Sequence, residues 1–215
     1  MPTEDSFEAR VEQIEDYILR LGDTIEHQDS ATFEEDGEEI PYHHFVVKEA
    51  SYDLYYEVSG RADEQIFLLR YSYDFLSRLE DFVQTDAGEE VFELDEFAAA
   101  DPHDAALTII NRVSDKDLER LRYKLYEQIS NPEVISRLSE TEDVGIHGFT
   151  VYRHLFPTEE NWGLPNFYNT LTAVSSTGER GRRFLNNSFA IQIPDDDEDQ
   201  ETEYSLSFDP EDVFA

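Results

Sequence analysis

The sequence predicts an α+β fold, an antiparallel sheet meander with helices packed on one face. Three observations predict it. An apolar stripe recurs at helix spacing near the N-terminus. Three runs rich in aromatic and β-branched residues follow, joined by short polar connections. Helix-spaced leucines then return in the second half of the chain.

Phe7, Val11, Ile14, Ile18 and Leu21 form one stripe of a 3.6-residue period, so residues 6–21 read as a helix. Thr3, Asp5 or Ser6 suits its start and Gly22 its end. Its polar face is acidic, and anionic lipid would repel it, so the stripe reads as core packing. Thr24 to Phe33 leaves more than one reading open, a polar edge strand among them. "FEEDGEEIP" reads as a loop punctuated by Gly37 and Pro41. "YHHFVVKE", "YDLYYEVS" and "QIFLLRYSY" read as strands, and their short connections make a meander the simplest pairing. Within the second, Tyr52, Leu54, Tyr56 and Val58 alternate with Asp53, Tyr55 and Glu57, which gives one core face and one outer face. Phe75, Leu79 and Phe82 predict a short helix over 74–83.

Residues 84–103 read as an acidic connector. It separates a helix-plus-meander half, 1–83, from a helical and strand half, 104–215, and the two halves are expected to pack as one unit. Leu107, Ile110 and Val113 predict a helix from Asp104. Ser114 or Asp115 caps a continuation through Leu118, Leu121, Leu125 and Ile129. "SNPEVISRL" reads as a further helix opening at Pro132. "GIHGFTVYRHLF" reads as a strand, and Pro165 as the start of a helix carrying Phe167, Leu171 and Val174. "SFAIQIP" and "EYSLSF" read as the two strands of a hairpin with the charged tip "DDDEDQET".

The charge is the strongest compositional signal. Across 215 residues, 51 Asp and Glu oppose 13 Arg and 3 Lys, for a net charge of -35. The acids are spread evenly, 28 in residues 1–100 and 23 after them, which describes an anionic folded surface rather than a tail. In dilute buffer such a surface repels itself, whereas at molar salt the screening length falls to about 3 Å. The composition resembles that of proteins from salt-loaded cytoplasm, with solvent cations as the expected companions. With 39% hydrophobic residues, including 15 Phe and 12 Tyr, a real core is expected. The acidic amphipathic start and the lack of a long apolar run point to a soluble cytoplasmic protein and away from membranes. A cationic footprint for direct nucleic-acid binding is missing.

Catalytic patterns are scarce. There is no cysteine, which removes disulfides, thiolate zinc sites and Cys nucleophiles. Glycine spacing does not match a phosphate loop, and no nucleophile elbow or His-Glu-x-x-His pair occurs. His27, His43, His44, His103, His147 and His154 lack local ligand spacing, so no metal is expected. Neither catalytic residues nor a cofactor are nominated. The sequon at Asn186 is discounted, since no export signal accompanies it.

Two surface candidates stand out. Tyr52, Tyr55, Tyr56, Tyr71 and Tyr73 crowd two successive strands, as a protein-contact face or as a thick aromatic core. "SSTGERGRRFLNN" holds Arg180, Arg182 and Arg183. Beside the exposed N–H groups of Gly178 and Gly181 these arginines form an anion-binding candidate. Alternatively they sit late in a helix, where they offset its dipole and pair with neighbouring acids. Arg120, Arg122 and Lys124 make a second, weaker cluster.

The stretches "VEQIEDYILRLG", "YHHFVVKE", "YDLYYEVS" and "NFYNTLTAVSSTGERGRRFL" occur in an order that resembles the type III secretion chaperone-like superfamily over residues 6–193. The resemblance implies a small α+β domain, often dimeric, that binds proteins rather than catalysing reactions. The long acidic connector and the C-terminal hairpin depart from that family, and no family residue is carried over. The expected function is therefore a non-enzymatic protein-binding or adaptor domain with a protein partner or self-association. The alternatives are an anion- or nucleotide-binding enzyme or sensor using the arginine cluster, and a nucleic-acid mimic.

Overall fold

The computed structural model describes residues 4–35, 37–50, 54–64, 66–85, 88, 101–111, 113–141, 145–157 and 162–189. Helix α1 (Glu4–Leu21) leads into strands β1 (Thr24–Glu35), β2 (Glu38–Glu49), β3 (Leu54–Arg61) and β4 (Phe67–Asp74). Helices α2 (Phe75–Val83), α3 (Pro102–Asn111) and α4 (Asp115–Ile129) follow, then β5 (Ile135–Thr141), β6 (Gly145–Leu155) and α5 (Leu164–Ser188). The sheet order is β1-β2-β3-β4-β6-β5 and every pairing is antiparallel. The last hairpin enters by its second strand. β6 lies against β4, which leaves β5 at one edge of the sheet and β1 at the other.

Directly paired residues of antiparallel strands share a face. Val47 with Tyr56, Val58 with Leu69, Tyr71 with Val151 and Tyr73 with Phe149 therefore build one apolar face. Onto it α1 brings Phe7, Val11, Ile14 and Ile18, and α5 brings Phe167, Leu171, Val174 and Leu185, in one continuous core. Fully burying a side chain of this kind contributes about 1.5–3 kcal/mol. Phe7 stacks on Phe67 with ring centroids 5.5 Å apart. Tyr17 meets Trp162 and Phe167, each at 5.9 Å. Trp162 Nε1 donates to Gln13 Oε1 at 3.0 Å, which satisfies the indole where it leaves the core.

Local caps agree with the chain's polar punctuation. Asp74 ends β4 and accepts from the Ser77 N–H at 3.1 Å, which starts α2. Ser114 caps α4 by accepting from the Asp117 N–H at 3.3 Å. Pro165 sits in the first turn of α5, where its missing N–H is no loss.

Three expectations need correction. "SNPEVISRL" forms a turn and then β5, with no helix at Pro132. Asn131 closes that turn, its carbonyl accepting from the Val134 N–H at 3.2 Å and its side chain from the Glu133 N–H at 3.0 Å. The β-branched Ile135 then starts the strand. "FEEDGEEIP" is no loop; it is the tip of the β1–β2 hairpin around Gly37, whose φ of 82° favours glycine. Pro41 sits within β2, opposite Thr32, just before β3 begins to pair at Tyr42, so its missing N–H costs no ladder bond to β3. Ser188 and Phe189, read as the start of a strand, are the last helical residue and the following turn of α5. Phe189 packs on Phe75 at 4.5 Å. The rest of that hairpin, and most of the 84–103 connector, lie outside the described residues.

Candidate functional site

The arginine cluster is helical throughout, since α5 runs from Leu164 to Ser188. Residues three and four apart share a helix face, so Glu179 stands beside both Arg182 and Arg183. Arg182 grips the Glu179 carboxylate with two hydrogen bonds, Nε at 2.7 Å and an Nη at 3.1 Å. Arg183 Nε donates to the same group. Glu179 is only 5% exposed, so the anion held by this cluster is a carboxylate of the same helix. Burial alone would lower the Arg182 pKa, but the Glu179 hydrogen bonds and charge outweigh it and hold it above its ordinary value. Arg180 turns to Thr177 Oγ1 at 3.3 Å.

The glycines of the same motif serve packing. A Cβ on Gly178 would lie 2.2 Å from the Tyr71 ring, and one on Gly181 would lie 2.5 Å from the Phe149 ring. Both positions let α5 close directly onto β4 and β6. The reading of their N–H groups as an anion cradle is therefore corrected.

The tyrosines divide by strand parity. Tyr56, Tyr71 and Tyr73 are buried in the core, which corrects their reading as a contact face. Burial pushes the Tyr73 hydroxyl up to about 12, and it donates to Asn186 Oδ1. Tyr55 lies on the other face, with Lys48 Nζ 5.8 Å from its ring centre, and Tyr52 lies outside the described residues.

That other face holds a charged cluster across three strands. Glu57 pairs directly with Arg70 in the β3–β4 ladder, and the two form an ion pair. His44 Nε2 lies 3.1 Å from Glu57 Oε2. Burial pushes the Glu57 carboxyl up, yet the His44 hydrogen bond and the Arg70 guanidinium outweigh it and hold its pKa below the usual carboxylate range. The adjacent His43 points into the core side, held by Gln28 at 3.2 Å and Ser30 at 2.8 Å.

Two further buried carboxylates, Asp23 and Glu49, form no ion pair among the described residues. Asp23 accepts from the Ala50 N–H at 3.1 Å and the Tyr56 hydroxyl at 2.9 Å. Glu49 lies close by and is buried. Burial raises its pKa, the Ser175 hydroxyl lowers it and the Asp23 charge raises it again, for a net rise. The Ser175 hydroxyl lies near this carboxyl without closing a well-formed hydrogen bond to it.

A groove of about 570 Å³ opens between α4 and the edge strand β5. Glu119, Arg122, Tyr123 and Tyr126 line it from the helix, and Ser136, Arg137, Leu138 and Glu140 from the strand. Arg122 reaches across to Glu140 at 3.0 Å. Tyr123 and Tyr126 are 67% and 55% exposed, while Ile135, paired with Tyr152 on the outer face of the β5 edge, is 45% exposed. Sequence reading missed this cluster. Its signal is that both tyrosines fall outside the stripe Leu118, Leu121, Leu125, Ile129, so α4 carries apolar surface on a side the core does not use. Ile135 was hidden by the helix expected over it.

No helix among the described residues is long and apolar enough to cross a membrane. No known protein family matches the chain, and no curated protein does. Among solved structures, the chain is similar to an uncharacterized protein from Methanothermobacter thermautotrophicus, at 12% identity and a TM-score of 0.56, over 83% of this chain and 97% of that one. At that identity the likeness shows a shared fold, an antiparallel α+β architecture, and nothing further.

Proposed function

We propose that this protein is a salt-adapted, non-enzymatic protein-binding domain whose contact surface is the α4–β5 groove. One observation carries the reading. Two tyrosines of α4, Tyr123 and Tyr126, stand exposed together in a groove beside a sheet edge, in a chain whose strand tyrosines Tyr42, Tyr56, Tyr71 and Tyr73 are buried. Tyrosine is favoured at protein contacts because one end of it is apolar and the other accepts water. An edge strand adds unpaired backbone groups that an incoming chain can join. The chaperone-like element order points to the same class of function. The arginine cluster gives the anion-sensor alternative little support, since Arg182 and Arg183 already hold Glu179.

A photo-crosslinking residue in place of Tyr123, compared with one in place of the exposed Tyr168 on α5, tests the surface. Protein adducts are expected at position 123 and not at 168. A clean chain at position 123 under cell-like salt would overturn the reading. The salt adaptation has its own test. Thermal unfolding should shift upward between about 0.1 M and about 3 M KCl, because screening removes the self-repulsion of a -35 chain. Equal stability at both would remove that part.

A further inference from the structure

We propose that the occupant of the α4–β5 groove is a second copy of this chain, related by a two-fold axis that runs β5 antiparallel to its own copy and brings the two α4 helices together. The inference rests on the protein-binding reading above and names the partner.

Charge decides the partner. Two chains of net charge -35 repel at almost any approach. Helix α1 carries six acids against two arginines, and β1 carries four acids with no Lys or Arg. Two copies meeting at the β1 edge would set Glu26, Asp29, Glu34 and Glu35 against their equals. The α4–β5 region is different. Helix α4 holds four acids and four bases, including two of the three lysines of the whole chain. Strand β5 holds one of each, Arg137 and Glu140.

A cationic partner would find stronger attraction at α1 or β1 than at this neutral strip. Of the two sheet edges, β5 is the less repulsive approach for a strongly anionic partner, and this chain is such a partner. A two-fold contact uses the same patch twice, so the patch must complement itself. Interspersed charges of both signs around Tyr123 and Tyr126 meet that requirement, and a uniformly acidic face does not. Strand β5 pairs with β6 on one side, and among the described residues no strand pairs with its other side. Joining it to its copy would continue the six-stranded sheet across the axis.

Sedimentation equilibrium of the full chain over a concentration series, at about 3 M KCl to screen residual repulsion, tests the proposal. The expected mass is twice the 25.0 kDa of the chain. Tyr126→Arg and Arg137→Glu, both at exposed positions, should each weaken the dimer by about tenfold or more. Tyr168→Arg, on exposed surface away from the groove, should leave it unchanged. Circular dichroism of each variant separates loss of association from loss of folding. A monomer at every concentration overturns the proposal, and so does a dimer indifferent to both groove substitutions. Crosslinks from position 123 to a different protein, with a monomeric chain, would sink the self-association and keep the binding function. No crosslinks and a monomer would sink both.

Discussion

Two helices of this molecule carry clustered arginines, and they use them in opposite ways. On α5, Arg182 and Arg183 close on Glu179, a carboxylate almost removed from water, on a helix pressed against the sheet. On α4, Arg122 reaches Glu119 and Glu140 at the rim of an open groove, where both partners keep substantial contact with solvent. In the sequence the two clusters differ only in density. What separates them is the burial of the counterion, since an ion pair out of water is strongly coupled and one in water is nearly free. The denser cluster is the structural one, and the sparser one borders the candidate surface.

The largest effect expected in this comparison concerns how closely α5 lies on the sheet. Gly178→Val places new atoms where a Cβ alone would already lie 2.2 Å from the buried Tyr71 ring. That ring belongs to the core and has no free space to enter, so the helix must lift or the substitution fail. A loss of about 4 kcal/mol is expected, read as a fall in the thermal midpoint of about 8–16 °C. A loss no larger than that of an ordinary surface substitution would mean the α5–sheet contact is looser than described, and the contrast with α4 would weaken.

Next comes the carboxylate itself. Glu179→Gln keeps the shape and removes the charge, which leaves the Arg182 guanidinium part-buried against a neutral amide. The expected cost is about 2 kcal/mol, or a midpoint lower by about 4–8 °C in the same unfolding experiment. A neutral outcome would show that Arg182 and Arg183 turn to water as readily as Arg122 does.

The sheet and its helices were largely legible because they rest on periodicity, which a single chain displays. Phe7, Val11, Ile14 and Ile18 mark α1, and the alternation of Leu54, Tyr56 and Val58 marks the inner face of β3. The candidate surface was much less legible. Tyr71 and Tyr73 are chemically the same as Tyr123 and Tyr126, and only packing decides which pair meets water. Likewise nothing in "TGERGRRF" distinguishes a loop that cradles an anion from a helix whose glycines admit aromatic rings. The glycines' neighbours, Tyr71 and Phe149, lie far away in the chain. Strand β5 was misread because a proline after a polar residue marks a helix start and a turn equally well.

A smaller and opposite effect is expected where α5 faces a carboxyl without a cation. Glu49 lies beside Ser175, and burial with the Asp23 charge holds its pKa above the ordinary value. The unfolded chain then releases this proton at lower pH than the folded one. Stability is therefore progressively lost as pH rises from the ordinary carboxylate range through the folded pKa. Glu49→Gln removes that loss. Relative to the parent its thermal midpoint should rise at pH 8, and the gain should vanish at pH below the ordinary carboxylate range. A variant destabilised at pH 8 would mean that Glu49 is held charged by a cation, as Arg182 and Arg183 hold Glu179.

The smallest expected effect completes the contrast. Glu140→Gln breaks the ion pair with Arg122 across the groove, the geometric counterpart of Glu179→Gln. Both groups of this pair are partly exposed, with 50% and 33% of their side-chain surfaces open. Water and salt replace what the partner supplied, so the midpoint should move by no more than about 1–2 °C. The same substitution unbalances the neutral strip by one charge, which makes association its more sensitive readout. If Glu140→Gln proves as costly to folding as Glu179→Gln, the α4–β5 charges belong to the scaffold rather than to a surface. The groove would then lose the charge balance that marks it as a place for two copies to meet.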